Sequence, residues 1–383
     1  MSRRAAGRIR RVAVVTGTRA EYGSLCSPMR AIAEHPRLRL QLVVTGMHLL
    51  KRFGHTVDQI VADGWRIAAR IPMQRGDDDP LDQAAGLARG VEGLARFFEQ
   101  ARSDIVVVLG DRIEALAGAL AAVTTGRCVA HIHGGDVAAG DFDESLRHAI
   151  TRLAHLHLAA TRRSARRIVR MGEQPWRVHL VGAPGLDRAR ELLQQTPRPP
   201  APTGQTLVVQ HAYGRPAEVE RRTALMILDA LAAAGLRRIV LYPNTDRGHR
   251  GVLRAIEQHR RRWGPQQVEV HRSLPRDDYL RLLIRCDLLI GNSSSGIIEA
   301  PLLGVPSIDV GTRQAGREPG GRSVLRVPER PRAIRDAIAR ARRMRPRRGG
   351  RSVYGDGRAG QRIADVLARV SLTPELLRKQ ITY

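Results

Sequence analysis

Residues 105–151 gather the side chains best suited to moving protons. The apolar run IVVVL at 105–109 stops at Gly110, Asp111 and Arg112, and from Cys128 the chain reads CVAHIHGGDVAAGDFDESLRHAIT. Titratable groups collected just past the ends of two apolar runs indicate a site rather than a core. His131 and His133, two apart on a strand, are expected to face the same side. Asp136, Asp141, Asp143 and Glu144 lie close by in sequence, and carboxylates beside a histidine tune it for general acid and base work. Two of these acids have a plainer reading. Asp111 suits a helix N-cap, with Glu114 completing a capping box, and Asp143 suits the cap of a helix beginning near Ser145. No third and fourth ligand stands at metal-site spacing, so neither a metal nor another cofactor is expected.

Two further stretches suit an anion. In TGTRAEYGSL, Arg19 falls between a strand end and a helix start, where free backbone N–H groups already favour negative charge. In GNSSSGIIEAPLLGVPSIDVGTRQAGRE, the turn 291–296 follows an apolar run and opens a helix, so its amides and hydroxyls can cradle a phosphate. Glu299, about one turn further on, is placed to reach ribose hydroxyls, and Arg313 stands in the next loop.

These residues need a scaffold that brings strand ends together. Apolar runs at 12–15, 40–46, 105–109, 127–132 and 176–181 alternate with helical stretches at 22–34, 80–101 and 145–158. That alternation predicts a parallel sheet covered on both faces. The segment QQTPRPPAPTGQ reads as a stiff linker over 193–205, and the alternation then restarts. Strands are expected at 207–209, 238–242, 268–271, the CDLLIG run, SIDVG and 324–327, with helices at 217–234, through 257 and at 277–284. The fold class is therefore α/β, with two doubly wound Rossmann-like domains facing a cleft where ligands of open parallel sheets bind. The expected domains are 1–192 and 206–360, followed by a helical tail at 361–383.

The composition suits such a protein, with 43% hydrophobic and 26% charged residues. The excess of 64 basic over 37 acidic residues gives a net charge of +27, which raises nucleic acid as a partner. The arginines are scattered over helix faces with 3% aromatics to stack bases, so no nucleic acid is expected. Three cysteines without C-x-x-C spacing read as buried apolar residues in a reducing compartment. The basic start lacks the apolar stretch of a signal peptide and no run approaches a membrane span, so the expectation is a cytoplasmic protein without membrane contact.

Taken together, TGTRAEY, TGMHL, LGDRIEAL, HIHGGDVAAGDFDESLRHAIT, YPNTDRG and IGNSSSGIIEAPLLGVPSIDVGTRQAGRE stand in an order that resembles the hydrolysing UDP-N-acetylglucosamine 2-epimerases. The likeness extends to bacterial enzymes acting on UDP-2,4-diacetamido sugars. The resemblance implies the two-domain fold of many nucleotide-sugar glycosyltransferases (GT-B-like), a UDP-activated amino sugar as substrate, and a homodimer or homotetramer. It also implies that Arg19, His211, Ser293, Ser294 and Arg313 hold the diphosphate, Glu299 the ribose and Asn244 the nucleotide side. Arg112, Asp111, His133, Asp136 and Asp143 would then surround the sugar. A non-hydrolysing 2-epimerase and a glycosyltransferase on the same fold are the alternatives. The chain departs from that family in carrying Asp136 where Glu is usual and Ala212 after His211 where Pro is usual. Non-hydrolysing members carry Glu where His133 stands, which the resemblance takes as favouring hydrolysis.

Overall fold

The computed structural model describes residues 8–75, 80–137, 143–197, 199, 201–243, 246–350 and 352–382. The chain divides into two compact units, Met1–Asp187 with Arg358–Tyr383, and Arg188–Gly357. Each holds one wholly parallel sheet.

In the first unit the strands are β1 (Arg10–Thr16), β2 (Leu38–Thr45), β3 (Ile67–Ile71), β4 (Ile105–Leu109), β5 (Cys128–Ile132), β6 (Leu156–Ala159) and β7 (Val178–Leu180). They lie in the order β3-β2-β1-β4-β5-β6-β7, so the winding reverses between β1 and β4. The intervening helices are α1 (Arg19–Glu34), α2 (Val57–Ala62), α3 (Pro80–Gln100), α4 (Ile113–Thr124), α5 (Asp143–Leu153) and α6 (Arg162–Arg170), and α7 (Gly185–Gln195) carries the chain from the first unit into the second. Strands β4 and β5 are buried almost throughout, as their unbroken apolar runs require when helices cover both faces. Helix α4 comes very close to the sheet: a Cβ on Gly118 would stand 2.9 Å from Val108. The small residues of IEALAGALAAVT permit that approach.

Two strands of this sheet were not among those expected. The expected helix 145–158 ends at Leu153, and Leu156–Ala159 is a strand with every residue buried. Leu153-Ala154-His155-Leu156 carries no Gly or Pro to mark where the helix stops, and buried His155 and His157 leave no unbroken apolar run to mark the strand. Strand β3 is the half-exposed edge strand IAARI, whose short alternation is weak in sequence.

The second unit contains β8 (Gln205–Val209), α8 (Ala217–Ala233), β9 (Arg237–Leu241), α9 (His249–Trp263), β10 (Val268–His271), α10 (Arg276–Arg285), β11 (Leu288–Gly291), α11 (Ser295–Leu303), β12 (Ser307–Val310), β13 (Val324–Val327) and α12 (Pro331–Arg342). Its sheet has the order β10-β9-β8-β11-β12-β13, with the reversal between β8 and β11. All six expected strand regions are present.

The chain ends with α13 (Ala359–Arg369) and α14 (Pro374–Leu377), which belong to the first unit. Ile363, Ala364, Leu367 and Leu376 join the core formed by Leu25, Met29 and Ile32 of α1. The Asp187 carboxylate accepts hydrogen bonds from the Ala359 and Gly360 amides at 2.9 and 2.7 Å and from the Ser27 hydroxyl. It thereby caps α13 against α1, where Gly360 leaves no room for a Cβ beside Ser27. Among the described residues, no helix is long and apolar enough to cross a membrane.

Candidate active site

In the first unit the expected acid and base residues follow β4 and β5, which are neighbours in the sheet. Gly110, in the left-handed region, turns the chain after β4. Arg112, not Asp111, is the N-cap of α4, so Asp111 is not spent on capping that helix. Asp111 is ion-paired with Arg147 of α5, a side chain that is nearly fully buried and lies 3.5 Å from Glu144. Arg147 was not anticipated. Its signal was available: it shares a helix face with Ile150 and Thr151, so an arginine occupies a core-facing position.

The two histidines do not face the same side through strand alternation. β5 ends at Ile132, and His133 follows it with φ of 65°, outside the extended geometry that alternation needs. His131 is fully buried, with Nε2 2.7 Å from the Gly110 carbonyl and Nδ1 3.3 Å from the Thr151 hydroxyl. Burial pulls its pKa down to about 3, so it is a neutral, structural ring. His133 is partly open to solvent, and its Nδ1 lies 2.8 Å from Asp136 Oδ2. The other oxygen, Asp136 Oδ1, accepts a 2.6 Å hydrogen bond from Ser164 of α6. Gly135 allows this packing, because a Cβ there would meet the Ser164 carbonyl at 2.5 Å. Asp143 is the first residue of α5, and Asp141 lies outside the described residues.

Arg112 is held by its Nε, 3.2 Å from the fully buried Glu114 carboxylate, which also accepts 3.0 Å from Gln74. Glu114 therefore makes an ion pair within a polar cluster and is no mere capping-box partner. Glu21, its neighbour in charge, accepts from the Gly17 and Thr18 amides. Burial first, then the Glu114 charge, lift the Glu21 pKa to about 8. Arg19, the first residue of α1, is exposed at the end of the same turn.

In the second unit a cavity of about 360 Å³ opens where the winding reverses, the position at which ligands of such sheets bind. His211, Ser293, Ser294 and Glu299 all line it, together with Arg272, Arg276 and Tyr279. Gly291 precedes the serine turn because a Cβ there would run into the Val209 carbonyl of the neighbouring strand. Buried Asn292 grips the backbone of His211 at both ends, accepting from its N–H at 2.7 Å and donating to its carbonyl at 2.8 Å. Ala212 thus follows a residue whose backbone is clamped without the usual proline. Burial and the nearby Arg313 hold the His211 pKa down at about 4. Arg313 is not among the cavity's lining residues: it donates to the Asn292 carbonyl at 3.1 Å, bracing the serine turn. Glu299, expected at a ribose, lies 2.5 Å from Arg276, which sequence reading did not single out among so many arginines. Asn244 lies outside the described residues. Among the described residues no group of His, Cys, Asp and Glu is arranged to hold a metal.

Residues 30–368 match the protein family described as UDP-N-acetylglucosamine 2-epimerase. The chain is 33% identical over 341 residues to a UDP-N-acetylglucosamine 2-epimerase of Neisseria meningitidis, covering 87% of this chain and 88% of that protein. It is 32% identical over 382 residues to a hydrolysing UDP-N,N'-diacetylbacillosamine 2-epimerase of Legionella pneumophila, covering 98% of this chain and 100% of the relative. Among solved structures it resembles a UDP-GlcNAc 2-epimerase from Neisseria meningitidis bound to UDP-GlcNAc. The TM-score is 0.73 at 17% identity, covering 94% of this chain and 100% of that one, a likeness of fold.

Proposed function

We propose, from the premise that the chain belongs to the UDP-N-acetylglucosamine 2-epimerase family, that it is a hydrolysing 2-epimerase of a UDP-activated 2-acetamido sugar. The observation that carries the hydrolytic reading is the end-to-end likeness to the Legionella pneumophila enzyme, which spans 98% of this chain. The reaction converts UDP-N-acetylglucosamine, or its 2,4-diacetamido-6-deoxy analogue, to UDP and the free manno-configured sugar.

In the α-linked chair the C2 hydrogen and the C1 oxygen are trans-diaxial. A base takes the C2 proton, the C–H electron pair forms the C1=C2 bond, and the C1–O pair leaves with UDP. Water then adds to the glycal at C1 while a proton returns to C2 on the opposite face. Each step needs a proton carrier, which suits the carboxylates and histidine after β4 and β5, and the departing diphosphate needs positive charge.

The cavity of the second unit takes the nucleotide in this reading. His211, Ser293 and Ser294 meet the diphosphate from its wall, and Arg313 adds charge behind the serine turn. Glu299 meets the ribose, and Asn244 contributes on the nucleotide side. In the first unit Asp111, His133, Asp136, Asp143 and Arg112 act on the sugar, and Arg19 on the diphosphate. The protein works as a homodimer or homotetramer, without a metal or other cofactor.

Turnover in deuterated water tests this. The expected products are UDP and a free manno sugar carrying one deuterium at C2. An intact epimerised UDP-sugar as the end product identifies the non-hydrolysing reaction, and transfer to an acceptor with C2 unexchanged identifies a glycosyltransferase. Comparing UDP-N-acetylglucosamine with the 2,4-diacetamido-6-deoxy analogue ranks the substrates.

A further inference from the structure

We propose that His133 is the proton-accepting group of the elimination step and that Asp136 and Ser164 act through it as positioning residues. This rests on the hydrolytic reading above and goes beyond it by dividing roles among residues until now grouped together.

The geometry is that of a base with a fixed tautomer. Ser164 donates to Asp136 Oδ1 at 2.6 Å, and Asp136 Oδ2 lies 2.8 Å from His133 Nδ1. A carboxylate accepts, so the Nδ1 end carries the proton and the lone pair is left on Nε2. Among the described residues Nε2 has no hydrogen-bond partner, and the His133 side chain is 18% exposed against 10% for Asp136. The carboxylate is thus the more enclosed member of the pair, with both oxygens already engaged, and the ring is the more accessible. The backbone enforces the arrangement. His133 sits at φ of 65° and Gly135 at 71°, which folds residues 133–136 back so that an Asp reaches its own i−3 histidine. Ser164 is fixed in turn: its amide donates to the Thr161 hydroxyl at 3.1 Å at the start of α6, and the two hydroxyls lie 2.9 Å apart. Arg167 of the same helix donates to the Gly135 carbonyl.

The shorter acid now has a reason. A Glu at 136 would carry its carboxylate one bond further, past the point where Ser164 and His133 both meet it. In the elimination, Nε2 takes the C2 proton, the C–H pair becomes the C1=C2 bond, and the C1–O pair leaves with UDP. The imidazolium so formed keeps its Nδ1–H on Asp136, whose negative charge offsets the new positive one.

A double-mutant cycle tests the division of roles, reading kcat and KM for UDP release from both candidate UDP-sugars, with thermal melts to confirm folding. H133A and D136N should each lower kcat about a hundredfold or more while KM changes little. D136N added to H133A should then cost nothing further, because its route to the substrate is gone. S164A should lower kcat about tenfold, S164T should recover most of it, and D136E should behave like D136N. Imidazole in solution should restore part of the H133A activity and none of the D136N activity. Multiplying losses in H133A/D136N, or a D136E variant as active as wild type, would show that Asp136 meets the substrate itself and overturn the proposal. Wild-type protein that releases no UDP from either sugar would overturn the function and this inference with it. The nitrogen NMR shifts of His133 give a readout independent of turnover: Nδ1 protonated in wild type, and the tautomer no longer fixed in D136N. A ring protonated at Nε2 in wild type would also overturn it.

Discussion

At the scale of single residues, burial decides which ionisable groups are free to respond to substrate. His131 is locked neutral between a carbonyl and a hydroxyl, and His211 is held neutral at the rim of a cavity, where its pKa stands at about 4. The two differ in what a ligand can change. A diphosphate entering beside Ser293 and Ser294 brings negative charge to His211, favours its protonated form and raises its pKa. Binding and protonation are linked, so affinity for a UDP-sugar should strengthen as pH falls from 7 to 5. The diphosphate diester does not itself titrate there. Calorimetry on the H133A variant, in which the proposed base is gone, should show proton uptake on binding in that range, and H211N in the same background should abolish it. An uptake that survives H211N would place the responsive group elsewhere.

At the scale of elements, the turn between β1 and α1 is built around a carboxyl that folding keeps protonated. Glu21 accepts two backbone amides, yet it is fully enclosed near Glu114, and its pKa rises from 4.5 to about 8. The sign follows from proton binding. Between these values the native state holds a proton that the unfolded chain has released, so this group's contribution to stability falls as pH rises from about 4.5 to about 8. E21Q keeps the acceptor oxygen and removes the titration. The melting temperature of E21Q relative to wild type should therefore climb steadily from pH 5 to pH 8. A constant difference would show that Glu21 is ionised throughout. The same cluster holds Arg112 through its Nε, while its Nη2 donates to Met47 Sδ at 3.9 Å, so one buried pair sets both the turn and the approach of a cation expected at the sugar.

At the scale of the whole molecule, the last segment of the chain completes the core of the first unit. Asp187 caps α13 while α13 fills the apolar face of α1. The strap continues to the terminus, where Lys379 donates to the Arg152 and Ala154 carbonyls and to buried Glu173. D187A should lower stability by about 1 kcal/mol, read by urea unfolding. Removing residues 358–383 should leave α1's apolar face uncovered and the first unit unable to fold, seen as loss of its near-ultraviolet signal and as precipitation. A truncated chain with wild-type unfolding would show the strap to be dispensable.

By itself the sequence determined the α/β alternation, the six strands of the second sheet and the loops on which the candidate site residues stand. Apolar runs, glycine turns and helix starts are written within a few neighbouring residues, and each such signal is local. The same locality explains the failures: β6 follows α5 with no Gly or Pro between them and is interrupted by buried histidines, and β3 carries exposed Ala68 and Arg70 instead of an apolar run. The loops were legible, but the pairings within them were not. Asp111 meets Arg147 36 residues away, Asp136 meets Ser164 28 away, His211 is gripped by Asn292 81 away, and Asp187 caps a helix 172 away. Nor did strand alternation govern His133, whose left-handed backbone turns it out of the β5 pattern and onto Asp136. Only the tertiary structure decided these, because a partner is chosen by which elements the sheet order sets side by side, and a single sequence carries no mark of that adjacency.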